Sequence, residues 1–368
     1  MAVRKSGMEV MVKEQLKIYK NKKVFVTGHT GFKGSWLVLA LQELGCEVHG
    51  YALNSDSIPN HYGLHTLNIH STISDIRNSE SLQKALQESQ AEIVFHLAAQ
   101  SLVRPSYSDP VYTYDVNVMG SLHLLNAVRS CEHVRAVLMI TTDKVYDNRE
   151  MDYAYNETDR LGGYDMYSSS KACCEILISS FRNSFFNHKQ YGIEHQVLIT
   201  SVRAGNVIGG GDWSVDRLIP DIMKATAKEQ KVILRNPTAI RPWQHVLDCL
   251  GGYLLLGAHL LNKEIAIAKA WNIAPEKNEA SSVEKIIQLA QNYWPKIQYE
   301  IQSVAGNVHE AQLLMLDNAE IKEKLQWRPI YTTQEAVELT VSWYQSYYED
   351  NKVVTSQQIR NFFNHSWN

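Results

Sequence analysis

The chain has 368 residues, 45% hydrophobic and 20% charged, with a formal net charge of −3. That length supports one large domain or two closely joined ones, and the near-neutral charge argues against a nucleic-acid partner gripped by broad phosphate neutralisation. No apolar run approaches the ~18 residues that would span a bilayer. The five cysteines, Cys46, Cys131, Cys173, Cys174 and Cys249, include no CxxC pair, so the expectation is a reducing, cytoplasmic setting with no metal site.

Residues 1–20 are basic in part, lack the apolar stretch of a secretory signal, and are read as an extension outside the fold. Lys23–Thr27 is then a short β-branched strand, Phe32–Leu44 has helical spacing and Glu47–Ala52 is a second strand. Ile69–Ser74 is a weaker strand, followed by a helix over Ser79–Glu88 opened by a serine N-cap. Glu92–His96, Ala136–Thr141 and Gln196–Val202 are buried-type strands, separated by long helical stretches over Pro110–Cys131 and Asp165–Phe185. Repeated strand–helix–strand units predict an α/β fold, a Rossmann-type doubly wound parallel sheet with helices on both faces. After Gly205 the pattern changes to Gly-, Pro- and Trp-rich loops and shorter helices at Val283–Asn292 and Thr333–Tyr348. The predicted division is a dinucleotide-binding domain over 21–205, with 239–265 returning to it, and a smaller, mostly α substrate lobe over 206–368.

Gly28, Gly31 and Gly34 stand between the first strand and the first helix with GxxGxxG spacing, and Thr30, Phe32 and Lys33 lie among them. Glycines there allow a sharp turn and close approach of a pyrophosphate to the helix N-terminus, so this loop is the candidate cofactor site. The second strand ends Gly50-Tyr51-Ala52-Leu53-Asn54, without the usual ribose-binding acid and without an arginine for a 2′-phosphate, which favours NAD over NADP. Asp75 and Ile76, after the third strand, are candidate adenine contacts.

Tyr167 and Lys171 are four residues apart at the start of a helix and share a face. A neighbouring ammonium is expected to lower the phenol pKa and make it a general base for a substrate hydroxyl whose carbon loses hydride. Thr142, Asp143 and Lys144 follow the strand Ala136–Thr141, at the sheet edge where catalytic groups gather. Thr142 is placed to hydrogen-bond the reacting hydroxyl, and Asp143 to act as general acid if burial raises its pKa.

The segments GHTGFKGSW, HLAAQ, TTDKVYDN, YSSSK, RAGNVIGGGDW, DRLIPD and AIRPWQHV resemble the extended short-chain dehydrogenase/reductases, and among them the CDP-D-glucose 4,6-dehydratases, over nearly the whole chain from Lys22. The resemblance implies tightly held NAD, a CDP-glucose substrate and three steps: oxidation at C4, loss of water across C5 and C6, and return of the hydride to C6. It implies that Ala98, Ala99 and Asn117 lie at the cofactor, that Asn206 and Gly209–Gly211 floor the nucleotide diphosphate, and that Arg217 and Arg241 hold it. Trp213, Trp243, His245 and His309 are further candidates near the nucleotide. In dTDP-glucose relatives an Asp-Glu pair stands where this chain has Asp143-Lys144. Lys144 therefore has three open roles: taking the C5 proton if burial depresses its pKa, orienting Asp143, or stabilising an enolate. The two long helices suggest a homodimer. Competing readings are a dTDP-glucose or GDP-mannose dehydratase, a 4-epimerase, or a non-catalytic NAD-binding sensor.

Overall fold

The computed structural model describes residues 14–55, 57–234, 236–302 and 313–365. Seven parallel strands form its central sheet: β1 (Lys23–Thr27), β2 (Glu47–Ala52), β3 (His70–Ile73), β4 (Ile93–His96), β5 (Ala136–Ile140), β6 (Leu198–Ala204) and β7 (Ala270–Ile273). Their spatial order is β7-β6-β5-β4-β1-β2-β3, so the chain reverses direction across the sheet between β1 and β4. That reversal opens a crevice at the carboxyl ends of the strands, where ligands of such sheets bind.

Alternation along each strand supplies two cores. Val24 and Val26 of β1, with Ala136, Leu138 and Ile140 of β5, face one side, against α1 (Phe32–Glu43) and α6 (Val246–Leu261). Phe25, Val137 and Met139 face the other, against α2 (Ser79–Ser89), α3 (Gly120–Arg129) and α4 (Met166–Ser184). Helix α6 is apolar almost all round and buried from Val246 to Leu260, as a helix must be when enclosed on every side. The remaining long helices are α5 (Leu218–Ala227), α7 (Val283–Tyr293), α8 (Thr333–Asp350) and α9 (Thr355–His365). Among the described residues no helix is long and apolar enough to cross a membrane.

Several expectations are corrected. Leu16 and Tyr19 are buried, and the Tyr19 hydroxyl donates to the Leu254 carbonyl at 2.9 Å, so the chain joins the core before residue 20. The cap of α2 is Asn78, whose side chain accepts the Ser81 N–H, rather than a serine. The stretch from Pro110 is helical through to Arg129, as expected, but is not regular: a π turn at Asp115–Met119 lies between Pro110–Tyr114 and α3. The later half also carries short strand pairs, among them Asn206–Ile208 with Trp243–His245 and Val232–Leu234 with Tyr299–Ile301, so it is less purely helical than its periodicity suggests.

Candidate active site

The cleft at the strand carboxyl ends has a volume of about 1420 Å³, above the ~300–1,000 Å³ typical of a single small-ligand site. It therefore has room for two ligands side by side. One end is built by the glycine loop. Gly28 has φ +76° and donates its N–H to the Tyr51 carbonyl at 2.8 Å, a left-handed turn that a side chain would strain. A Cβ on Gly34 would stand 2.1 Å from the Gly28 carbonyl oxygen. The loop thus folds back on the first turn of α1, whose N-cap, Gly31, uses no side chain. The unpaired N–H groups of that turn face the cleft, lined here by Gly28, Thr30, Gly31, Phe32, Lys33 and Gly34. This geometry fits a dinucleotide pyrophosphate.

Asp75, Ile76, Ala98 and Ala99 line the same end. Arg77 grips the Asp75 carboxylate through two nitrogens and holds its pKa low, and Tyr51 donates to the Asp75 carbonyl. Lys33 is drawn further in. Burial lowers its pKa, and its ammonium feels Arg217, Asp143 and Lys144, so it lies toward the chemical end of the cleft.

That end is organised by α4 and the turn after β5. Asp165 caps α4 by accepting the Ser168 N–H at 2.9 Å, which fixes the first turn and with it Tyr167. Lys171, one turn on, donates to the Ile140 carbonyl at 3.3 Å, and burial lowers its pKa. The Tyr167 phenol is buried beside the Thr142 hydroxyl. Thr142 Oγ1 donates to Asp143 Oδ1 at 2.9 Å, and Lys144 Nζ donates to the same oxygen at 3.0 Å. Thr142, Asp143 and Lys144 therefore form one hydrogen-bonded row, with the Tyr167 phenol beside it. Asp143 is fully buried and its Oδ2 has no protein partner.

The expected lowering of the Tyr167 pKa is not met in the protein alone. Burial pushes the phenol up to about 12, outweighing the Thr142 hydroxyl and the Arg217 charge. Of the three roles open for Lys144, the ion pair favours orienting Asp143. Asn117 lies behind the cleft in the π turn, accepting Gln100 N–H at 2.9 Å and donating to Ser170 Oγ at 2.9 Å, so it braces α4 rather than lining the cavity.

On the substrate side Asn206, Arg217 and Arg241 line the cleft. Arg217 lies 3.6 Å from Asp212, and Arg241 Nη1 donates to the Ile240 carbonyl. Trp243 backs the wall, its indole N–H on the Ser281 carbonyl. Trp213 and His245 are not at the nucleotide. Trp213 packs among Trp343, Tyr344 and Tyr347, and His245 is fully buried against Trp36 and Tyr331. His309 lies outside the described residues. The cleft also recruits Tyr146 and Arg104, the latter 3.9 Å from Asp216. Both follow strand ends, and that position was the one sequence signal for them.

A glycine cradle at a sheet reversal, beside a buried Tyr–Lys pair, defines an NAD(P)-type extended short-chain dehydrogenase/reductase. The chain belongs to the family described as GDP-mannose 4,6 dehydratase, whose model matches residues 25–340. It is 44% identical over 348 residues to a CDP-glucose 4,6-dehydratase of Salmonella typhimurium, covering 94% of this chain and 97% of that one. A dTDP-glucose 4,6-dehydratase of Xanthomonas campestris is 26% identical, over 87% and 92% of the two chains. Among solved structures, the Thermus thermophilus UDP-glucose 4-epimerase in complex with NAD has TM-score 0.76 at 22% identity, covering 88% and 98%. The Bacillus anthracis dTDP-glucose 4,6-dehydratase in complex with NAD has TM-score 0.72 at 21%, covering 88% and 96%. At such identities these two structures establish the shared fold.

Proposed function

We propose that this chain converts CDP-D-glucose to CDP-4-dehydro-6-deoxy-D-glucose and water, as an NAD-dependent hydro-lyase. The observation that carries the reading is the hydrogen-bonded row Thr142–Asp143–Lys144 next to Tyr167, which sets a carboxyl group beside the redox base. An epimerase needs the base but no such acid. The similarity to the Salmonella enzyme, far above that to the dTDP-glucose relative, supports CDP as the nucleotide.

NAD, which the glycine loop Gly28–Gly34 would hold, would supply the hydride acceptor for C4 and donor for C6, with no net redox change. The protein's part is proton handling and placement. Tyr167 takes the C4 hydroxyl proton, assisted by the Lys171 ammonium and the Thr142 hydroxyl. Asp143 is the acid assigned to the departing C6 hydroxyl; Lys144 holds its Oδ1, and the carboxyl lies directly behind the cleft wall that Thr142 and Lys144 line. The C4 ketone acidifies C5–H, whose loss completes the elimination. Asn206, Arg217 and Arg241 hold the nucleotide diphosphate, for which guanidinium geometry is suited.

The dinucleotide-binding unit is assigned to 21–205 with 239–265, and the sugar-nucleotide lobe to the rest of 206–368. A homodimer through the helical stretch 110–129 and α4 is supported by exposed apolar side chains at Val111, Met119 and Ile176. A cytoplasmic site of action fits five free cysteines. The test is turnover of CDP-, dTDP-, UDP-glucose and GDP-mannose by the purified protein. CDP-glucose is dehydrated fastest; preference for another nucleotide, or a C4 epimer as product, refutes the reading.

A further inference from the structure

Behind the cleft lies a buried ion pair that the chemistry above does not use. Glu175 is one turn beyond Lys171 on α4, and Arg203 is near the end of β6. They are 2% and 4% exposed, and Arg203 Nη2 donates to Glu175 Oε2 at 2.9 Å. A buried pair of this kind adds little stability over apolar packing, because desolvation offsets the attraction. Its other bonds give it a different meaning. Glu175 Oε1 accepts the Thr141 hydroxyl, and Oε2 accepts that of Ser201 at 2.8 Å. Arg203 Nη1 donates to the Tyr146 hydroxyl at 2.9 Å and to the Glu157 carbonyl at 3.1 Å. The Tyr146 hydroxyl in turn donates to Asn272 Oδ1 at 2.7 Å on β7, and the guanidinium sits 5.0 Å from the Tyr146 ring centre. Thr141 and Tyr146 are the two ends of the segment that carries Thr142, Asp143 and Lys144.

We propose that the Glu175–Arg203 pair is a positioning device that clamps both ends of segment 141–146 and so fixes Asp143 relative to Tyr167 and Lys171. Glu175 and Arg203 touch no reacting group; they act through Thr141 and Tyr146. A catalytic turn held at both ends from one rigid point keeps its acid within the fraction of an ångström that elimination requires. The proposal rests on the dehydratase reading only for its turnover assay.

The test replaces the pair as a unit by Glu175→Met with Arg203→Met, apolar side chains of comparable length. The protein remains folded and binds NAD, kcat for CDP-glucose falls about tenfold or more, and KM stays within about twofold. Amide exchange quickens in segment 141–146 and not in the sheet around it. Thr141→Val and Tyr146→Phe each cut one tether and leave the ion pair intact. Each lowers kcat by about threefold or more at unchanged KM, so the proposal remains testable if the double variant fails to fold. Full kcat in both tether variants, or unchanged exchange across 141–146 in them, overturns it. Because exchange needs no substrate, a wild-type protein inert toward CDP-glucose refutes the function reading while the clamp is still judged on its own.

Discussion

Replacing Tyr167 by Phe removes one hydroxyl from a buried ring and leaves the rest of the helix turn in place. In the protein alone burial pushes that phenol up to about 12, so at pH 8 about 1 molecule in 10,000 carries the phenolate, a cost of about 5 kcal/mol. The site must recover most of this when loaded. The Thr142 hydroxyl and the Arg217 charge already act in that direction, and the Lys171 ammonium and an oxidised nicotinamide add positive charge beside the ring. Two consequences follow. The rate of C4 oxidation rises with pH on the acid side, because the proton acceptor is present in a small fraction. Tyr167→Phe lowers kcat by about 10²–10⁴, the range lost with a general base, while NAD affinity changes little, since the hydroxyl lies beside Thr142 rather than the glycine loop. The assay is single-turnover oxidation followed by NADH absorbance, with NAD binding measured separately by calorimetry. Turnover of the variant within about tenfold of wild type would refute the assigned role of Tyr167.

Three other expectations follow from particular contacts. Asp143→Asn keeps the shape of the buried side chain but cannot protonate a leaving hydroxyl, so NADH builds up transiently in single-turnover traces; equal slowing of oxidation and elimination contradicts the acid role. Gly34→Ala drives a Cβ to 2.1 Å from the Gly28 carbonyl and must open the loop, weakening NAD binding by about tenfold or more; affinity equal to wild type means the loop does not hold the pyrophosphate. Asp248, buried on α6 and accepting the Ile330 and Tyr331 N–H groups, is pushed up to about 7 by burial. A raised folded-state value means its contribution to stability is fully present below about 4 and is lost as pH rises through about 7. Asp248→Asn removes this pH dependence, so its stability relative to wild type rises between about pH 4 and 7 by up to about 4 kcal/mol in denaturant unfolding and is level above that; a difference that does not change with pH contradicts this.

Much of the fold was legible because its signals are local. Short apolar and β-branched runs marked six of the seven sheet strands, and the GxxGxxG loop lies where strand–loop–helix order placed it. The seventh strand, Ala270–Ile273, escaped notice because AWNI is short, carries one β-branched residue and has no alternation. The π turn at Asp115–Met119 was invisible for a different reason. Its residues are helix-compatible, and the extra residue is absorbed where Asn117 braces Gln100 and Ser170, contacts made far along the chain. In the site, the Tyr–Lys spacing and the polar strand end were readable, but the long-range partners were not. The Glu175–Arg203 pair joins residues 28 apart through a buried contact; Arg203 opens the RAGNVIGGGDW segment, but nothing in the sequence pairs it with Glu175. Trp213 and His245 looked like ligand contacts because they lie in Gly- and Pro-rich loops, yet an aromatic beside a glycine also suits tight core packing, and that is what both do.

The central claim is that hydride is borrowed and returned within one active site. The most direct measurement supplies CDP-glucose deuterated at C4 and locates the label in the product. The account predicts deuterium at C6 of CDP-4-dehydro-6-deoxy-glucose with no lasting NADH. Label lost to solvent, label retained at C4 of an epimer, or NADH accumulating with turnover would contradict it.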